Sequence, residues 1–220
     1  MKRCISVAVA AISLAGCKTP TPPAGPLPRM TVEQLAAAVA ADARRSDLTT
    51  DLKIRAQIAA DAMQNSQACL ERAPQAAACL YYHGVALGLN ARAHPLQAND
   101  SLKAMLEALN GAEAADPAYD QAGPARVQAL VLIKAPAWPL GPGDPETGLA
   151  AARRAVALRP EYPPNVLALA EALAKTGDAH GAQDAYRRAR DLVQALPPSR
   201  DRDDWQHEAD QALSRSSAPH

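Results

Sequence analysis

Residues 166–189, VLALAEALAKTGDAHGAQDAYRRA, decide the fold. Apolar residues recur at helical spacing on both sides of Gly177, and a glycine at this position can form the tight turn between two helices. Ala170 and Ala182 are small enough to let the helices approach closely, and Tyr186 and Ala189 are spaced to pack on the next helix. The stretch therefore predicts an antiparallel pair of helices that stacks on further pairs.

These residues resemble the tetratricopeptide (TPR) repeat. The matching positions are Val166, Leu169, Ala170, Leu173, Gly177, Ala182, Tyr186 and Ala189. The resemblance implies an all-α, TPR-like solenoid of stacked antiparallel helix pairs, which we expect over residues 31–213. In such a solenoid each pair buries its apolar side against its neighbours.

Three prolines extend the repeat towards the N-terminus. Pro74, Pro117 and Pro160 are spaced 43 residues apart, and an apolar run of helical period precedes each of them. A helix has to end near each proline, because the residue before a proline is pushed out of the α region. A second helical stretch follows each proline, so the prolines mark three turns between helices.

A repeated octapeptide joins successive pairs. AHPLQAND begins at position 93 and AWPLGPGD at position 137. We expect both to be joints between antiparallel helices, with His94 and Trp138 in equivalent places. Asp100 and Asp144 would then cap the helices that follow, because an aspartate side chain can accept a hydrogen bond from a free backbone N–H at a helix start.

Helices at both ends complete the predicted stack. Thr31 and Gln34 fit a capping box that opens a helix ending near Arg45, and residues 48–70 supply the next helix. Residues 200–213 are acidic near their start, as the helix dipole favours, and would shield the end of the solenoid. We expect residues 214–220 to form a disordered tail.

The N-terminus has the pattern of an export signal. Two basic residues precede an apolar run too short to span a bilayer, which is typical of a signal peptide over residues 1–16. The run ends in LAGC, with Cys17 last, and resembles the bacterial lipobox; an ordinary cleavable signal with a chance cysteine is the alternative. The resemblance implies acylation of Cys17, as by palmitate. Because Lys18 replaces the aspartate that suggests inner-membrane retention, we expect an outer-membrane lipid anchor facing the periplasm.

The segment after the signal predicts a spacer, and the remaining cysteines predict a crosslink. Residues 17–30 are rich in proline and should form an extended stalk, roughly 30 Å long. Cys69 and Cys79 each lie five residues from Pro74. Residues equidistant from a turn between antiparallel helices tend to face each other, so we expect a disulfide in the oxidising periplasm; two buried thiols are the alternative.

The composition argues against several classes of function. The chain has 23 basic and 23 acidic residues, whereas nucleic-acid-binding proteins usually carry a basic excess. It has no phenylalanine, which disfavours a β-sandwich. The common catalytic and phosphate-binding motifs and the usual metal-ligand spacings are missing from the sequence. We therefore expect no enzyme activity, no catalytic residue, no cofactor and no metal site.

Residues 133–178 carry a second resemblance. The stretch IKAPAWPLGPGDPETGLAAARRAVALRPEYPPNVLALAEALAKTGD is similar to the T-component of TPR-protein-associated TRAP transporters and its lipoprotein relatives, and the overlap covers roughly residues 50–195. This resemblance implies a periplasmic lipoprotein that partners a solute-binding protein and tends to form homo-oligomers.

Two functional hypotheses follow from a solenoid whose inner surface is lined by the first helix of each pair. The first is a protein–protein interaction module, accessory to a TRAP-type transporter. The second is a carrier that encloses an apolar small molecule or lipid in the helical stack. For either role we expect the partner or ligand groove to include Tyr81, Tyr82, His83, Arg92, Arg126, Trp138, Asn165 and Glu171.

Several of these residues also have a purely structural interpretation. One tyrosine of the Tyr81–His83 run would pack in the core while the others line an interface. Trp138 would be either a lid packed over its helix pair or a ligand contact, and Asn165 either a helix cap or a partner for a guest peptide. Glu171 would either contact a partner from the groove or form an i,i+4 surface pair with Lys175.

Overall fold

The computed structural model describes residues 30–216. This part of the chain holds nine α-helices and a short 3-10 turn at Pro95–Gln97. The helices are α1 (Val32–Asp47), α2 (Leu52–Arg72), α3 (Ala77–Ala93), α4 (Ala98–Ala115), α5 (Tyr119–Lys134), α6 (Pro145–Leu158), α7 (Pro163–Lys175), α8 (Ala179–Gln194) and α9 (Arg200–Ser216). The predicted signal peptide, Cys17, almost all of the stalk and residues 217–220 lie outside the described residues.

The described fold is all-α, which confirms the predicted class. Its one isolated backbone bridge, between Ala137 and Gly143, lies within a loop. None of the helices in residues 30–216 combines the length and the apolar character needed to cross a membrane.

Local sequence sets the first two helix starts. The Thr31 hydroxyl accepts the Gln34 backbone N–H at 3.3 Å, and the Gln34 side-chain oxygen accepts the Thr31 N–H at 2.8 Å, forming the predicted capping box. Helix α2 begins at Leu52 rather than near Leu48. The reason is Asp51, whose carboxylate accepts the Lys53 N–H at 2.8 Å and fixes the start of the helix there.

The helices stack in series. The odd-numbered helices lie side by side, with α1 on α3, α3 on α5, α5 on α7 and α7 on α9. Each even-numbered helix packs between the two odd-numbered helices that flank it in the chain. The even-numbered helices lie farther apart from one another, and Arg154 of α6 bridges to α4 by donating to the Glu113 carboxylate at 2.8 Å. The odd-numbered helices therefore form the inner face of a TPR-like solenoid, as predicted.

The hydrophobic core is divided in the same way. One cluster joins α1, α2 and α3 around Val39 and Ile58, and a second joins α3, α4 and α5 around Leu109. A third joins α5, α6 and α7 around Ala151, and the last joins α7, α8 and α9 around Val166. Each cluster involves only helices adjacent in the stack, which is the packing expected of a repeat protein.

The two kinds of loop lie at opposite ends of the stack. Pro74, Pro117 and Pro160 stand in the turns that precede α3, α5 and α7, and we call this end the proline end. The chain enters α1 at the same end, where the Cys69 Sγ is 3.8 Å from the Val32 carbonyl oxygen. The four loops that follow α1, α3, α5 and α7 lie at the other end, the joint end.

A disulfide crosslinks α2 and α3 at the proline end. Cys69 and Cys79 are bonded, their Cα atoms are 5.3 Å apart, and both residues are buried. The bond spans the turn at Pro74 that the sequence placed midway between the two cysteines.

The two octapeptide joints are not equivalent, and this prediction was wrong. His94 directly follows α3, and the 3-10 turn leads straight into α4 at Ala98, so that Asp100 lies inside the first helical turn instead of capping it. Asp144 does cap α6, accepting the Thr147 N–H at 3.0 Å. Trp138 stands four residues beyond the end of α5.

Glycine explains the difference between the joints. The Gly143 N–H donates to the Pro136 carbonyl at 2.8 Å, and a Cβ on Gly143 would collide with the Ala135 carbonyl oxygen. The first joint has no glycine and cannot form this compact loop. Trp138 is held away from the helices and is 86% exposed, so the interpretation of Trp138 as a packed lid was also wrong.

The C-terminal boundary also differs from the prediction. Helix α9 starts at Arg200 as expected but continues to Ser216. Residues 214–216, which we assigned to a disordered tail, are helical.

Candidate functional site

An apolar groove opens on the inner face near the joint end. Its cavity volume is about 660 Å³, and we call it the inner groove. Its walls come from the last turns of α1, from α3, from the start of α4, from α5 and from the residues just after α5. The lining residues are Ala43, Asp47, Val85, Gly88, Leu89, Arg92, Leu102, Met105, Val127, Leu130, Val131, Lys134, Ala135 and Pro136.

Helical periodicity explains why these side chains share the groove. On α3 the lining positions are 85, 88, 89 and 92, and on α5 they are 127, 130, 131 and 134, which is one face of each helix. Gly88 deepens the groove, because a Cβ at that position would lie 3.1 Å from the Met105 Sδ. The groove floor is therefore aliphatic, and its charged groups lie at the ends of helices.

A smaller cavity continues the inner face towards the C-terminus. It has a volume of about 210 Å³ and lies between α5, α7 and α9. Leu130 and Lys134 line both cavities, so the two form one path across the inner face. Trp205 and Glu208 close the smaller cavity on the side of α9.

The charges that line the path are paired. Arg92 donates to the Asp47 carboxylate from both terminal nitrogens, at 2.8 and 2.7 Å. The Lys134 ammonium lies 2.8 Å from the Glu171 carboxylate. Glu171 thus faces the inner surface, and its proposed surface pair with Lys175 was wrong. With both bases neutralised, the inner groove offers mainly apolar contact.

Glu208 has an altered acidity in the smaller cavity. Burial raises the pKa of Glu208 to about 7, and the neighbouring Glu171 carboxylate adds to the shift through a hydrogen bond and charge repulsion. Lys134 partly offsets the shift. The pair of carboxylates retains a proton near neutral pH, which permits α9 to lie against α7.

A left-handed turn precedes the regular part of α5. Asp120, Gln121 and Ala122 have φ angles of 47°, 57° and 63°, a region that costs a residue with a side chain roughly 1–2 kcal/mol. Three polar side chains hold this turn, and two of them, Tyr81 and Asn165, come from distant parts of the chain. Tyr81 donates its hydroxyl to the Asp120 carboxylate at 2.7 Å, and Arg126 and Asn165 supply the other contacts.

Arg126 and Asn165 form the centre of this buried network. The Arg126 guanidinium donates to the Asp120 carboxylate at 3.1 Å and to the Asn165 side-chain oxygen at 3.1 Å. The Asn165 amide nitrogen donates to the backbone carbonyls of Gln121, Ala155 and Arg159. Asn165 is completely buried, so it neither caps its own helix nor reaches a guest peptide. It satisfies carbonyls at the end of α6 instead.

The tyrosine and histidine positions are also mainly structural. Tyr81 is 5% exposed, with its ring edge-on to Tyr82 and Tyr119 at centroid distances of 5.1 and 5.5 Å. Tyr82 is half-buried, and burial raises the pKa of its hydroxyl. His83 lies 3.1 Å from the Ser66 hydroxyl, and burial lowers its pKa. As predicted, one tyrosine packs in the core, but none of Tyr81, Tyr82 and His83 lines either cavity.

The proposed groove residues therefore divide into three sets. Arg92 lines the inner groove and Glu171 lines the smaller cavity. Arg126 also lines the smaller cavity, but its guanidinium is hydrogen-bonded within the buried network. Trp138 projects into solvent at the joint end. Tyr81, Tyr82, His83 and Asn165 lie elsewhere, which corrects their assignment to the groove.

The residues of the groove floor could not be predicted from the sequence, because they are ordinary aliphatic residues. Val85, Leu102, Met105, Val127 and Val131 could equally have belonged to a closed core. The i, i+3 and i+4 spacing on α3 and α5 was the available signal, but it cannot distinguish a face buried against a helix from a face that lines a cavity.

The described residues contain no group of three histidine, cysteine, aspartate or glutamate side chains placed to hold a metal ion. The geometry of the inner face, with aliphatic walls and paired charges, is suited to binding by shape and apolar contact.

Comparison with known proteins identifies the fold. No protein-family model matches the chain, and no curated protein matches it. Among solved structures, the chain is similar to a thermophilic TPR protein from Thermus thermophilus, with a TM-score of 0.57 and 20% sequence identity. The match covers 83% of this chain and 92% of that protein, so the TPR-like architecture extends over nearly all of the described residues.

Proposed function

We propose that the chain is a protein–protein interaction module that binds its partner in the inner groove. The observation that carries this proposal is the apolar cavity of about 660 Å³ on the face of the TPR-like stack that the odd-numbered helices form. Apolar side chains of a partner helix or extended segment would enter it, as in other helix-in-groove complexes. The paired charges Arg92–Asp47 and Lys134–Glu171 would set the orientation of the bound segment.

The test uses one groove variant and one matched control. Leu130→Arg places a charge where the two cavities meet, and Gln67→Arg places the same charge on the exposed outer side of α2. Pull-down from detergent-solubilised envelope should enrich the same periplasmic protein with the wild type and with Gln67→Arg, and recover it at least fivefold less with Leu130→Arg. Equal recovery with all three proteins, at equal helicity by circular dichroism, would refute the proposal.

We further propose that acylated Cys17 anchors the protein in the outer membrane and that residues 17–30 form a stalk to the helical domain. The lipobox-like ending LAGC and the proline-rich sequence support this proposal. Mass spectrometry of the purified protein should find an N-terminal Cys17 carrying acyl chains, and Cys17→Ser should release the protein from membranes. An unmodified Cys17 would contradict it.

The proposed partner is the solute-binding protein of a TRAP-type transporter. Support comes from the similarity of residues 133–178 to the transporter T-component. The pull-down above tests this as well, because the protein lost with Leu130→Arg should be a solute-binding protein. Recovery of a different groove-dependent partner would end the transporter proposal and leave the interaction module standing.

A carrier of an apolar small molecule or lipid is the second candidate. The volume of the inner groove falls within the range of small-molecule sites, about 300–1,000 Å³. Native mass spectrometry of the purified protein should then show a bound adduct that Leu130→Arg removes. The protein at its bare mass, together with a groove-dependent protein partner, would favour the interaction module. We propose no enzymatic role for either arrangement.

A further inference from the structure

Tyrosine rings gather where the left-handed turn at Asp120 to Ala122 faces α3 and the start of α7. Four of the five tyrosines of the chain lie there. We call this group the tyrosine cluster, and its members are Tyr81, Tyr82, Tyr119 and Tyr162. The Tyr119 ring centroid lies 5.5 Å from that of Tyr81 and 6.4 Å from that of Tyr82. Tyr162 joins the group through the Arg126 guanidinium, which lies 5.2 Å from the Tyr162 ring centroid.

The Asp120 carboxylate lies within the tyrosine cluster. Its Oδ2 atom accepts hydrogen bonds from the Tyr81 hydroxyl at 2.7 Å and from Arg126 at 3.1 Å. Within residues 30–216 its Oδ1 atom accepts no hydrogen bond, and the Asp120 side chain is 38% exposed. Burial is the main cause that raises the pKa of Tyr82 and of Tyr119, and the Asp120 charge raises both further. One carboxylate oxygen is therefore available to a ligand beside these two rings.

The backbone that presents Asp120 is strained. Asp120, Gln121 and Ala122 all have left-handed φ angles, which residues with side chains rarely adopt. Gly123 leaves room for the arrangement, because a Cβ at that position would lie 2.9 Å from the Tyr81 hydroxyl oxygen. Strained backbone that the surrounding structure holds in place is concentrated at binding sites. The turn therefore indicates a role for Asp120 beyond packing.

The charges around the tyrosine cluster favour a cation. The side chains that act on the pKa of its hydroxyl groups include three acidic residues, Asp116, Asp120 and Asp201, and two basic residues, Arg44 and Arg126. The face of a tyrosine ring is also electronegative and attracts cations. Arg126 uses this attraction within the protein, because its guanidinium already lies over one ring of the cluster.

The shape of the site favours a cation without N–H groups. The Tyr82 and Tyr119 rings are perpendicular to each other, and both side chains are half-buried, so each keeps part of its surface open. A primary ammonium group carries three donors that need acceptors, whereas the carboxylate of Asp120 has only one oxygen left. A quaternary ammonium ion has no donors and binds through its charge and through contact of its methyl groups with aromatic rings.

We propose that Asp120, Tyr82 and Tyr119 form a binding site for a quaternary ammonium ion. The positive charge would lie beside the free Asp120 oxygen, with the methyl groups against the two rings. Tyr82 lies one helical turn from Val85 of the inner groove, so the site lies at the proline end of the inner face. The inference goes beyond the proposed partner binding, and neither depends on the other.

Titration of the full chain with choline, followed by proton NMR, tests the site. The N-methyl signal of choline should move upfield, because the methyl protons would lie against aromatic rings. The neutral isostere 3,3-dimethyl-1-butanol should bind at least about tenfold more weakly, because it lacks the charge. Glycerophosphocholine carries the headgroup of a choline lipid without its acyl chains. Whichever of choline and glycerophosphocholine binds more tightly identifies a free ion or a lipid headgroup as the source.

Three variants separate the site from unspecific attraction. Asp120→Asn keeps the turn, because asparagine tolerates the left-handed conformation and can still accept the hydrogen bonds from Tyr81 and Arg126. It should weaken choline binding at least about tenfold, and Tyr119→Leu at least about fivefold with a smaller upfield shift. Asp100→Asn makes the same charge change at an exposed position of α4 and should leave binding within about twofold of the wild type.

The circular dichroism spectra of all variants should match that of the wild type. The proposal is overturned if neither choline nor glycerophosphocholine binds the wild type, or if the neutral isostere binds as tightly as choline. Equal binding by Asp120→Asn and the wild type would also overturn it.

Discussion

Asn165 is the residue on which the polar interior depends most. It accepts a hydrogen bond from Arg126 and donates to three carbonyls contributed by α5 and the end of α6. These groups are buried, and a buried polar group without a partner costs about 1–3 kcal/mol. The network therefore offsets part of the cost of the left-handed turn at Asp120 to Ala122 and fixes where α5 begins.

Replacement of Asn165 tests this role. Asn165→Ala should lower the free energy of unfolding by about 2–4 kcal/mol, because several buried donors and acceptors lose their partner together. Urea unfolding followed by circular dichroism measures the change, with the exposed Gln75→Ala as control. A loss similar to that of the control would show that the network contributes little.

A substitution at Tyr81 gives a second test of the hydrogen bonds that hold this turn. Tyr81→Phe removes only the hydroxyl that donates to the Asp120 carboxylate at 2.7 Å, and leaves the ring packed against Tyr82 and Tyr119. We expect the free energy of unfolding to fall by about 1.5–3 kcal/mol, the usual range for a hydrogen bond to a charged group. An unchanged urea midpoint would contradict the hydrogen bond.

At the scale of the element, the disulfide ties α3 to α2. It closes a short loop, and the chain-entropy relation assigns about 3 kcal/mol to a bond of this kind. Cys69→Ser with Cys79→Ser should therefore lower the melting temperature markedly, and dithiothreitol should do the same to the wild type but have no effect on the double variant. Equal melting temperatures with and without reductant would argue against the bond.

The docking of α9 should depend on pH. The pKa of Glu208 is about 7 in the folded protein and near 4.5 for an ordinary glutamate, so the folded state holds a proton that the unfolded state releases. The contribution of Glu208 to stability is thus fully present below pH 4.5 and is lost as the pH rises from about 4.5 to about 7.

Glu208→Gln removes this dependence. Because the side chain is partly exposed and solvent screens its charge, we expect the variant to be more stable than the wild type by only about 1–2 kcal/mol at pH 8, and to differ little at pH 4.5. Urea unfolding at both pH values measures the difference, with the exposed Glu161→Gln as control. A constant difference between variant and wild type across this range would exclude Glu208 as the cause.

The elements that sequence predicted well are those set by local chemistry. The prolines at 74, 117 and 160, the Thr31 capping box and the Asp144 cap each act within a few residues, and the structure places all of them as expected. The left-handed turn in α5 could not be predicted in this way. Its partners Tyr81 and Asn165 lie 39 and 44 residues from the groups they bind, and only the stacked fold brings them together.

In the candidate site, too, some residues could be predicted from the sequence and others could not. Arg92 and Glu171 were among the groove residues predicted from the sequence, and both line the cavities of the inner face. The aliphatic floor around Leu130 could not be predicted, since nothing local distinguishes a groove from a core. The difference between the two octapeptide joints could not be predicted either, because they are alike in sequence but glycines fold only one of them into a compact loop.

At the scale of the whole molecule, the serial division of the core governs both stability and binding. The clusters involve only helices that are neighbours in the stack, and the inner groove exists because α1, α3 and α5 lie side by side without a common centre. Stability in such a molecule is close to a sum over units and the interfaces between them.

Hydrogen exchange of Tyr186→Ala, followed by mass spectrometry, tests this serial arrangement. The substitution removes a buried ring from the cluster shared by α7, α8 and α9. Peptides from α7 to α9 should lose protection at least tenfold relative to the wild type, while peptides from α1 to α3 keep theirs within twofold. An equal loss of protection in all nine described helices would instead indicate one common core and would contradict a stack of helix pairs.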